Sequence, residues 1–204
     1  MQDMSLDELT AQYFDVFKEL GNIGAGNATT ALASLLQTKV DMKVPQVTLA
    51  EFRNLGEMIG GDDQVMVGIY LGVEGDITGS MMFLTKKETG KVLVNKLMMQ
   101  EPDGEDFNEM ELSAMKEVGN IICGSYLNSL STLTNMKIYP TIPDIAIDMA
   151  TAILSVPAIQ FGIMGDKILL IQTQFTDDVE LDGFFILIPD LDSYQKILMS
   201  LGLS

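Results

Sequence analysis

The amino-acid sequence contains an internal repeat, and this repeat limits the possible folds more than any other feature. The segment KELGNI at residues 18–23 recurs as KEVGNI at residues 116–121, 98 positions later. Further identities at this spacing are Gly26 with Gly124, Leu32 with Leu130 and Lys39 with Lys137. Farther along, the spacing becomes 104, because the second half contains extra residues between positions 145 and 181. Matches over this length predict two copies of one folding unit.

The repeat predicts the organisation of the whole chain. The polar segment at residues 100–106 contains Pro102 and Gly104 and is typical of a surface connection. The 204 residues, 47% of them hydrophobic, can bury a sizeable core. We therefore expect residues 1–204 to form a single domain made of two repeats, at about 5–99 and 106–204.

Each half predicts the same order of helices and strands. A long helix is expected from about Leu6, where Ser5 and Glu8 have the spacing of a capping box, and Asn108 and Glu111 repeat that spacing. The predicted strands are residues 39–49, 64–73, 77–84, 136–145, 167–175 and 181–188. The predicted shorter helices are residues 52–59, 87–97 and 191–201. We expect an α+β fold, in which long helices pack on a six-stranded, mainly antiparallel sheet with pseudo-two-fold symmetry.

The charge of the chain excludes two classes of partner. Asp and Glu total 29 against 12 Lys and Arg, which gives a net charge of -17. This charge repels phosphate backbones and anionic lipids, so neither nucleic acid nor membrane insertion is expected. The single cysteine, Cys123, cannot form an internal disulfide, and the first eight residues are acidic rather than signal-like. We expect a cytoplasmic protein.

The sequence contains no histidine. This absence removes the commonest general base and the commonest transition-metal ligand. Catalysis by this chain would have to use carboxylates, amides, hydroxyls, lysine or backbone groups, unless a partner completes the reaction centre. No metal or cofactor of its own is expected.

A polar stripe is predicted on each long helix. The first stripe consists of Asp15, Glu19 and Asn22, and the second stripe consists of Ser113, Glu117 and Asn120. Their shared spacing of i, i+4 and i+7 places each set within about 60° on a helix. Such a stripe is also what the solvated side of an amphipathic helix contains. Two copies of the stripe favour a function. Asparagine is a weak helix former, so helix stability does not explain why it occurs in the middle of both helices.

With these two stripes the chain resembles the CheC, CheX and FliY family of chemotaxis phosphatases, and the CheC type in particular. The signature of that family is Asp or Ser, then Glu four positions later, then Asn three positions after the Glu. The resemblance extends over essentially the whole chain in length, repetition and element order. It implies that the chain dephosphorylates the aspartyl phosphate of a CheY-like response regulator.

The resemblance also implies a role for each side chain. Glu19 and Glu117 would pair with a lysine of the regulator, while Asn22 and Asn120 would orient the attacking water. Asp15 and Ser113 match the first position of the signature, with no chemical role assigned. The phosphorylated aspartate and a Mg²⁺ ion would belong to the regulator.

A second partner follows from the same resemblance. In that family the receptor deamidase CheD binds CheC, and the extra residues of the second half lie near positions 148–160. Asp148 is therefore a candidate contact for CheD, and the alternative is an ordinary acid at a helix N-terminus. For the whole chain, the alternative to an enzyme is a non-catalytic adaptor that binds the phosphorylated regulator or CheD.

Two other signals favour structural roles. The glycines at positions 24 and 26 look loosely like a phosphate-binding loop, but they follow a helix and lack the Gly-Lys-Ser/Thr sequence. Close packing of the first long helix against its symmetry mate explains these glycines better. Cys123 lies three residues after Asn120 and has no basic neighbour in the sequence, so we expect a buried, inert thiol.

Overall fold

The structure, a computed structural model, describes residues 11–43, 46–51, 54–101, 104–161, 167–176 and 180–202. The helices are α1 (Ala11–Leu36), α2 (Leu55–Met58), α3 (Lys87–Leu97), α4 (Glu109–Thr134), α5 (Ala150–Phe161) and α6 (Leu191–Ser200). The strands are β1 (Asp41–Met42), β2 (Gln46–Glu51), β3 (Val65–Gly75), β4 (Gly79–Lys86), β5 (Ile138–Pro140), β6 (Asp144–Met149), β7 (Lys167–Thr176) and β8 (Glu180–Pro189). The order of elements in the second half, from α4 to α6, is that of the first half, from α1 to α3.

All described strands belong to one sheet, and every described pair is antiparallel. The order across the sheet is β1-β7-β8-β4-β3-β5, with β2 also beside β7 and β6 also beside β3. Each half therefore supplies the outer strands of the other half. The α+β class with a mainly antiparallel sheet is confirmed.

The predicted number of six strands is wrong, because each outer strand is divided in two. Between β5 and β6, Pro143 has no N–H to donate to the neighbouring strand. Thr141 holds this segment to β3 instead: its Oγ1 accepts from the backbone N of Gly72 at 2.8 Å, and its own N donates to the Gly72 carbonyl at 2.9 Å. Within the described ranges, the sheet thus has eight strands in six positions.

Helices cover both faces of the sheet. Strand side chains alternate between the two faces, so each strand contributes to two cores. The core beneath α1, α3, α4 and α6 includes Val67, Ile69, Phe83, Ile171 and Phe185. The core beneath α2 and α5 includes Met66, Leu84, Leu170 and Ile186. At the centre of the sheet Phe83 of β4 is opposite Phe185 of β8, with ring centroids 5.0 Å apart.

The long helices α1 and α4 pack against each other over the sheet. A Cβ built on Gly24 would lie 2.5 Å from Cδ1 of Tyr126, so only glycine fits at this crossing. Asn27 Nδ2 donates to Ser129 Oγ at 3.1 Å and links the same two helices. The expectation of close packing is therefore correct for Gly24.

The N-terminus of α4 has the capping box that its sequence predicts. Asn108 Oδ1 accepts from the backbone N of Met110 and of Glu111, each at 3.0 Å, and the Glu111 carboxylate accepts from the Asn108 N at 2.8 Å. The corresponding capping box at Ser5 and Glu8 lies outside the described residues. Across the part of the chain that the structure describes, no helix is both long and apolar enough to cross a membrane.

Candidate functional site

The first stripe lies on the solvent side of α1. Asp15, Glu19 and Asn22 are all exposed, while Leu20 between them is buried against the core. Lys18 Nζ is 3.9 Å from Asp15 Oδ1, in a pair whose side chains are 56% and 79% exposed. At this exposure the pair contributes little to stability. The helix therefore presents an acid and an amide to solvent, as its spacing predicts.

The second stripe lies on the solvent side of α4. Ser113 and Glu117 are exposed, and Asn120 is half-buried. The opposite side of the helix packs closely on β3, because a Cβ built on Gly119 would lie 2.5 Å from Cδ1 of Ile69. This close packing fixes the side of α4 that faces the solvent.

The acid and the amide of each stripe are free to bind a partner. Among the residues that the structure describes, no hydrogen bond or ion pair engages the side chains of Glu19, Asn22, Glu117 or Asn120. A carboxylate accepts hydrogen bonds and attracts a cation, whereas an amide both donates and accepts. Each stripe can therefore hold a cationic side chain and, about 4.5 Å farther along the helix, orient a small polar molecule.

A buried ion pair that the sequence analysis missed lies two residues before the second stripe. Lys91 Nζ on α3 is 2.6 Å from Glu111 Oε1 and also donates to the Asp106 carbonyl at 2.8 Å. The hydrogen bond from Lys87, and then its charge, hold the pKa of the Asp106 carboxyl below its usual value. Because Lys91 and Glu111 are twenty residues apart on different helices, no local pattern in the sequence indicates the pair.

Cys123 takes no part in the site. The side chain is fully buried, and burial raises the pKa of its thiol far above the usual value. A thiol that stays protonated is a poor nucleophile. The predicted burial of this cysteine is confirmed, and its inertness stays a prediction.

The expectation of close helix packing is wrong for Gly26. A Cβ built on this residue meets no neighbouring atom within 4 Å in the described ranges, and the same holds for Gly124 at the matching position of α4. Both glycines lie on the sides of their helices that carry the stripes. The close packing that explains Gly24 therefore does not explain Gly26 or Gly124.

Asp148 lies near the end of β6 and is not part of either stripe. Its strand position pairs with Met66 of β3, and its Oδ1 accepts from the backbone N of Met149 at 2.8 Å. The side chain is exposed and lines a groove together with Phe107 and Leu112. The helix α5 begins two residues later, so Asp148 itself belongs to the strand.

The structure thus shows an antiparallel α+β domain with two similar surface sites, because each long helix carries a Glu and an Asn on its solvent side. A family model described as CheC-like matches residues 15–49 and 110–147, and each segment contains one stripe. The CheY-P phosphatase CheC of Bacillus subtilis (strain 168) is 36% identical over 199 residues, which are 95% of this chain and 95% of that protein. The chain belongs to the CheC-like family.

Other relatives share parts of the chain or its fold. The flagellar motor switch phosphatase FliY of Bacillus subtilis (strain 168) is 28% identical over 135 residues, 65% of this chain and 35% of that protein. The crystal structure of FliY from Thermotoga maritima matches with a TM-score of 0.76 and 21% identity, over 96% of this chain and 98% of that chain. A chain of the CheX-CheY-BeF3-Mg²⁺ complex from Borrelia burgdorferi matches with a TM-score of 0.56 and 20% identity, over 82% and 96%. At these identities the solved structures support the fold alone.

Proposed function

We propose that this chain is a protein phosphatase that hydrolyses the aspartyl phosphate of a CheY-like response regulator in bacterial chemotaxis. The observation that carries the proposal is the pair of unengaged Glu and Asn side chains on the solvent side of α1 and again of α4. The Bacillus subtilis relative at 36% identity, named a CheY-P phosphatase, supports the same activity. The chain acts in the cytoplasm, where the regulator is phosphorylated.

The reaction needs positioning more than a strong base. The oxygen of a water molecule attacks phosphorus, the bond from phosphorus to the aspartyl oxygen breaks, and the products are inorganic phosphate and a free aspartate carboxylate. Phosphoryl transfer through a loose transition state is accelerated by alignment and charge stabilisation. The amide of Asn22 or Asn120 can accept a hydrogen bond from this water and hold it in line. This role is open to a chain that has no histidine.

Each glutamate positions the regulator. The carboxylates of Glu19 and Glu117 are exposed and lie one helical turn before their asparagines. We assign them to a salt bridge with a lysine of the regulator, which a carboxylate recognises through a charge-assisted hydrogen bond. Asp15 and Ser113 lie one turn farther from the asparagines, on the same sides of their helices. They complete the motif, and no chemical role is assigned to them. The Mg²⁺ ion that neutralises the phosphoryl oxygens belongs to the regulator.

A second partner of this chain is the receptor deamidase CheD, and Asp148 is its proposed contact. The support is the exposure of this carboxylate beside a groove that contains apolar side chains. This groove also contains Leu112 of α4, so a CheD molecule bound there would lie beside the start of the second stripe.

The experiment measures phosphate release from a purified, phosphorylated CheY-like regulator with and without this chain. We expect release to accelerate with the unmodified chain and to return to the regulator's own rate with the Asn22→Ala, Asn120→Ala double variant. An adaptor would leave the rate unchanged or slow it, because it would only hold or protect the phosphate. Equal rates for the unmodified chain and the double variant would refute the mechanism.

A further inference from the structure

Two glycines continue the stripes along α1 and α4. Gly26 follows Asn22 by four residues, and Gly124 follows Asn120 by four residues. On a helix of 3.6 residues per turn, each glycine lies about 40° from the asparagine and about 20° from the glutamate of its stripe, roughly 6 Å farther along the axis than the asparagine. The glycine is therefore part of the same surface as the acid and the amide.

Packing within the chain does not require either glycine. A Cβ built on Gly26 or Gly124 has no neighbouring atom within 4 Å in the described residues, and both residues have ordinary helical backbone. The contrast with Gly24 is direct, because a Cβ there would overlap the ring of Tyr126. Alanine would fit at both stripe positions without moving any described neighbour.

Glycine at these positions lowers the stability of the helix. It loses more backbone entropy than alanine when a helix forms, and both residues lie well inside helices of 26 residues. Internal stability therefore favours alanine at two matching positions where the chain has glycine. Glycine at these two positions therefore needs a reason other than internal stability, and both lie on the surface that also carries the unengaged glutamate and asparagine.

We infer that Gly26 and Gly124 are the positions where the surface of the phosphorylated regulator comes into van der Waals contact with the helix backbone. This inference rests on the proposed phosphatase function and assigns two further specificity-determining residues to it. A side chain at either position would hold the regulator away from the helix and displace the asparagine amide from phosphorus. A displacement of about 1 Å is enough to lower a rate by about a hundredfold.

The test uses chains in which only one stripe is intact. Gly124→Ala and Gly124→Leu are introduced into the Asn22→Ala background, and the matching substitutions of Gly26 are introduced into the Asn120→Ala background. Alanine and leucine are both good helix formers, so these variants add a side chain to the surface without disrupting the helix. Matched controls are Ser34→Leu and Thr132→Leu, which change exposed positions eight residues farther along the same helices.

Three quantities are measured for each variant. They are kcat/KM for phosphate release, the Kd for the beryllofluoride-activated regulator, and the midpoint of thermal unfolding. We expect the alanine variants to unfold about 2 °C higher, because alanine favours the helix. We expect kcat/KM to fall severalfold with alanine and by about a hundredfold with leucine. The Kd should rise in the same order, and the control variants should match their backgrounds.

The outcomes separate this inference from the proposed function. If the unmodified chain releases phosphate and the leucine variants keep the kcat/KM and Kd of their backgrounds, the contact is refuted while the phosphatase activity stands. If the unmodified chain binds the regulator without accelerating release, the proposed function is refuted and the Kd series alone decides the contact. If it does neither, both are refuted. Equal losses in the Ser34 and Thr132 controls would also refute a contact specific to the glycines.

Discussion

Lys91 Nζ lies 2.6 Å from Oε1 and 2.8 Å from Oε2 of Glu111, and the two side chains are only 8% and 0% exposed. The pair joins α3 to the first turn of α4, two residues before Ser113. Glu111 Oε2 also accepts from the backbone N of Asn108 and so closes the capping box. In α1 the position that matches Glu111 is Tyr13, which cannot form this ion pair. The helix of the second stripe is therefore anchored by an interaction that the first stripe does not have.

The substitution Lys91→Met should lower the free energy of unfolding by about 3–5 kcal/mol, because it leaves a buried carboxylate without its cation. Urea denaturation measures this change. The double variant Lys91→Met, Glu111→Leu removes both charges and should recover most of the loss. Lys87→Met, which breaks a pair whose Asp106 side chain is 95% exposed, should cost less than about 1 kcal/mol. A single Lys91 variant as stable as the unmodified chain would contradict this assignment.

The substitutions Asn22→Ala and Asn120→Ala should each lower turnover at their own stripe by about a hundredfold, the effect of losing one group that stabilises the transition state. Each substitution is measured in the unmodified chain and in a chain whose other stripe already carries Asn→Ala. The second comparison isolates the activity of one stripe. Binding of the beryllofluoride-activated regulator should change much less than turnover. Asn54→Ala is a matched control, since Asn54 is exposed and makes no side-chain cap at α2. A loss of binding as large as the loss of turnover would contradict the role in orienting water.

Local signals in the sequence predicted the elements that local interactions determine. The bounds of α3 agree with the prediction at both ends, and α4 begins where Asn108 and Glu111 form their capping box. The exposure of Glu19 and Asn22 follows from helical spacing alone, because the apolar residues between them determine which side of α1 is buried. The fold class and the exposure of the two stripes could therefore be predicted from the sequence.

Contacts between distant segments could not be predicted in this way. At the break in the outer strand, the hydroxyl of Thr141 accepts from the backbone N of Gly72 on β3, which is 69 residues away. The difference between Gly24 and Gly26 depends on the position of Tyr126, on a helix of the other half. The two glycines lie in the same short segment, so the sequence around them does not show that packing requires Gly24 and does not require Gly26. Only the packing of α1 on α4 shows this difference.

Reversal of charge at Asp148 tests the proposed CheD contact. Asp148→Lys should raise the Kd for purified CheD about tenfold, because an exposed acid at the edge of an interface contributes through complementary charge. The free energy of unfolding should stay nearly the same, since the side chain is exposed and, among the described residues, accepts only from the next backbone N. Asp144→Lys is the matched control on the same strand, where Asp144 is also exposed. Unchanged CheD binding by the Asp148 variant would count against the contact.

The buried thiol of Cys123 should make the protein less stable at alkaline pH. Burial raises its pKa above the ordinary value of 9.0, so the folded chain keeps the thiol protonated while the unfolded chain releases the proton. The stability from this group is fully present below pH 9.0 and is lost as the pH rises beyond it. Urea denaturation between neutral and alkaline pH should show a steeper decline for the unmodified chain than for Cys123→Ala. In the native state a thiol reagent should modify Cys123 only as fast as the chain unfolds, and rapid modification would contradict its burial.

Gly24→Ala and Gly26→Ala should change the stability of the same helix in opposite directions. At Gly24 the new methyl group would overlap the ring of Tyr126, so we expect a loss of about 1–3 kcal/mol in the free energy of unfolding. At Gly26 the methyl group enters open space, and the better helix propensity of alanine should add about 0.5–1 kcal/mol. Urea denaturation of both variants, with Gly124→Ala as a second case of open space, measures the difference. A loss at Gly26 equal to that at Gly24 would mean that both glycines serve internal packing, and the contact proposed for the regulator would then have no basis.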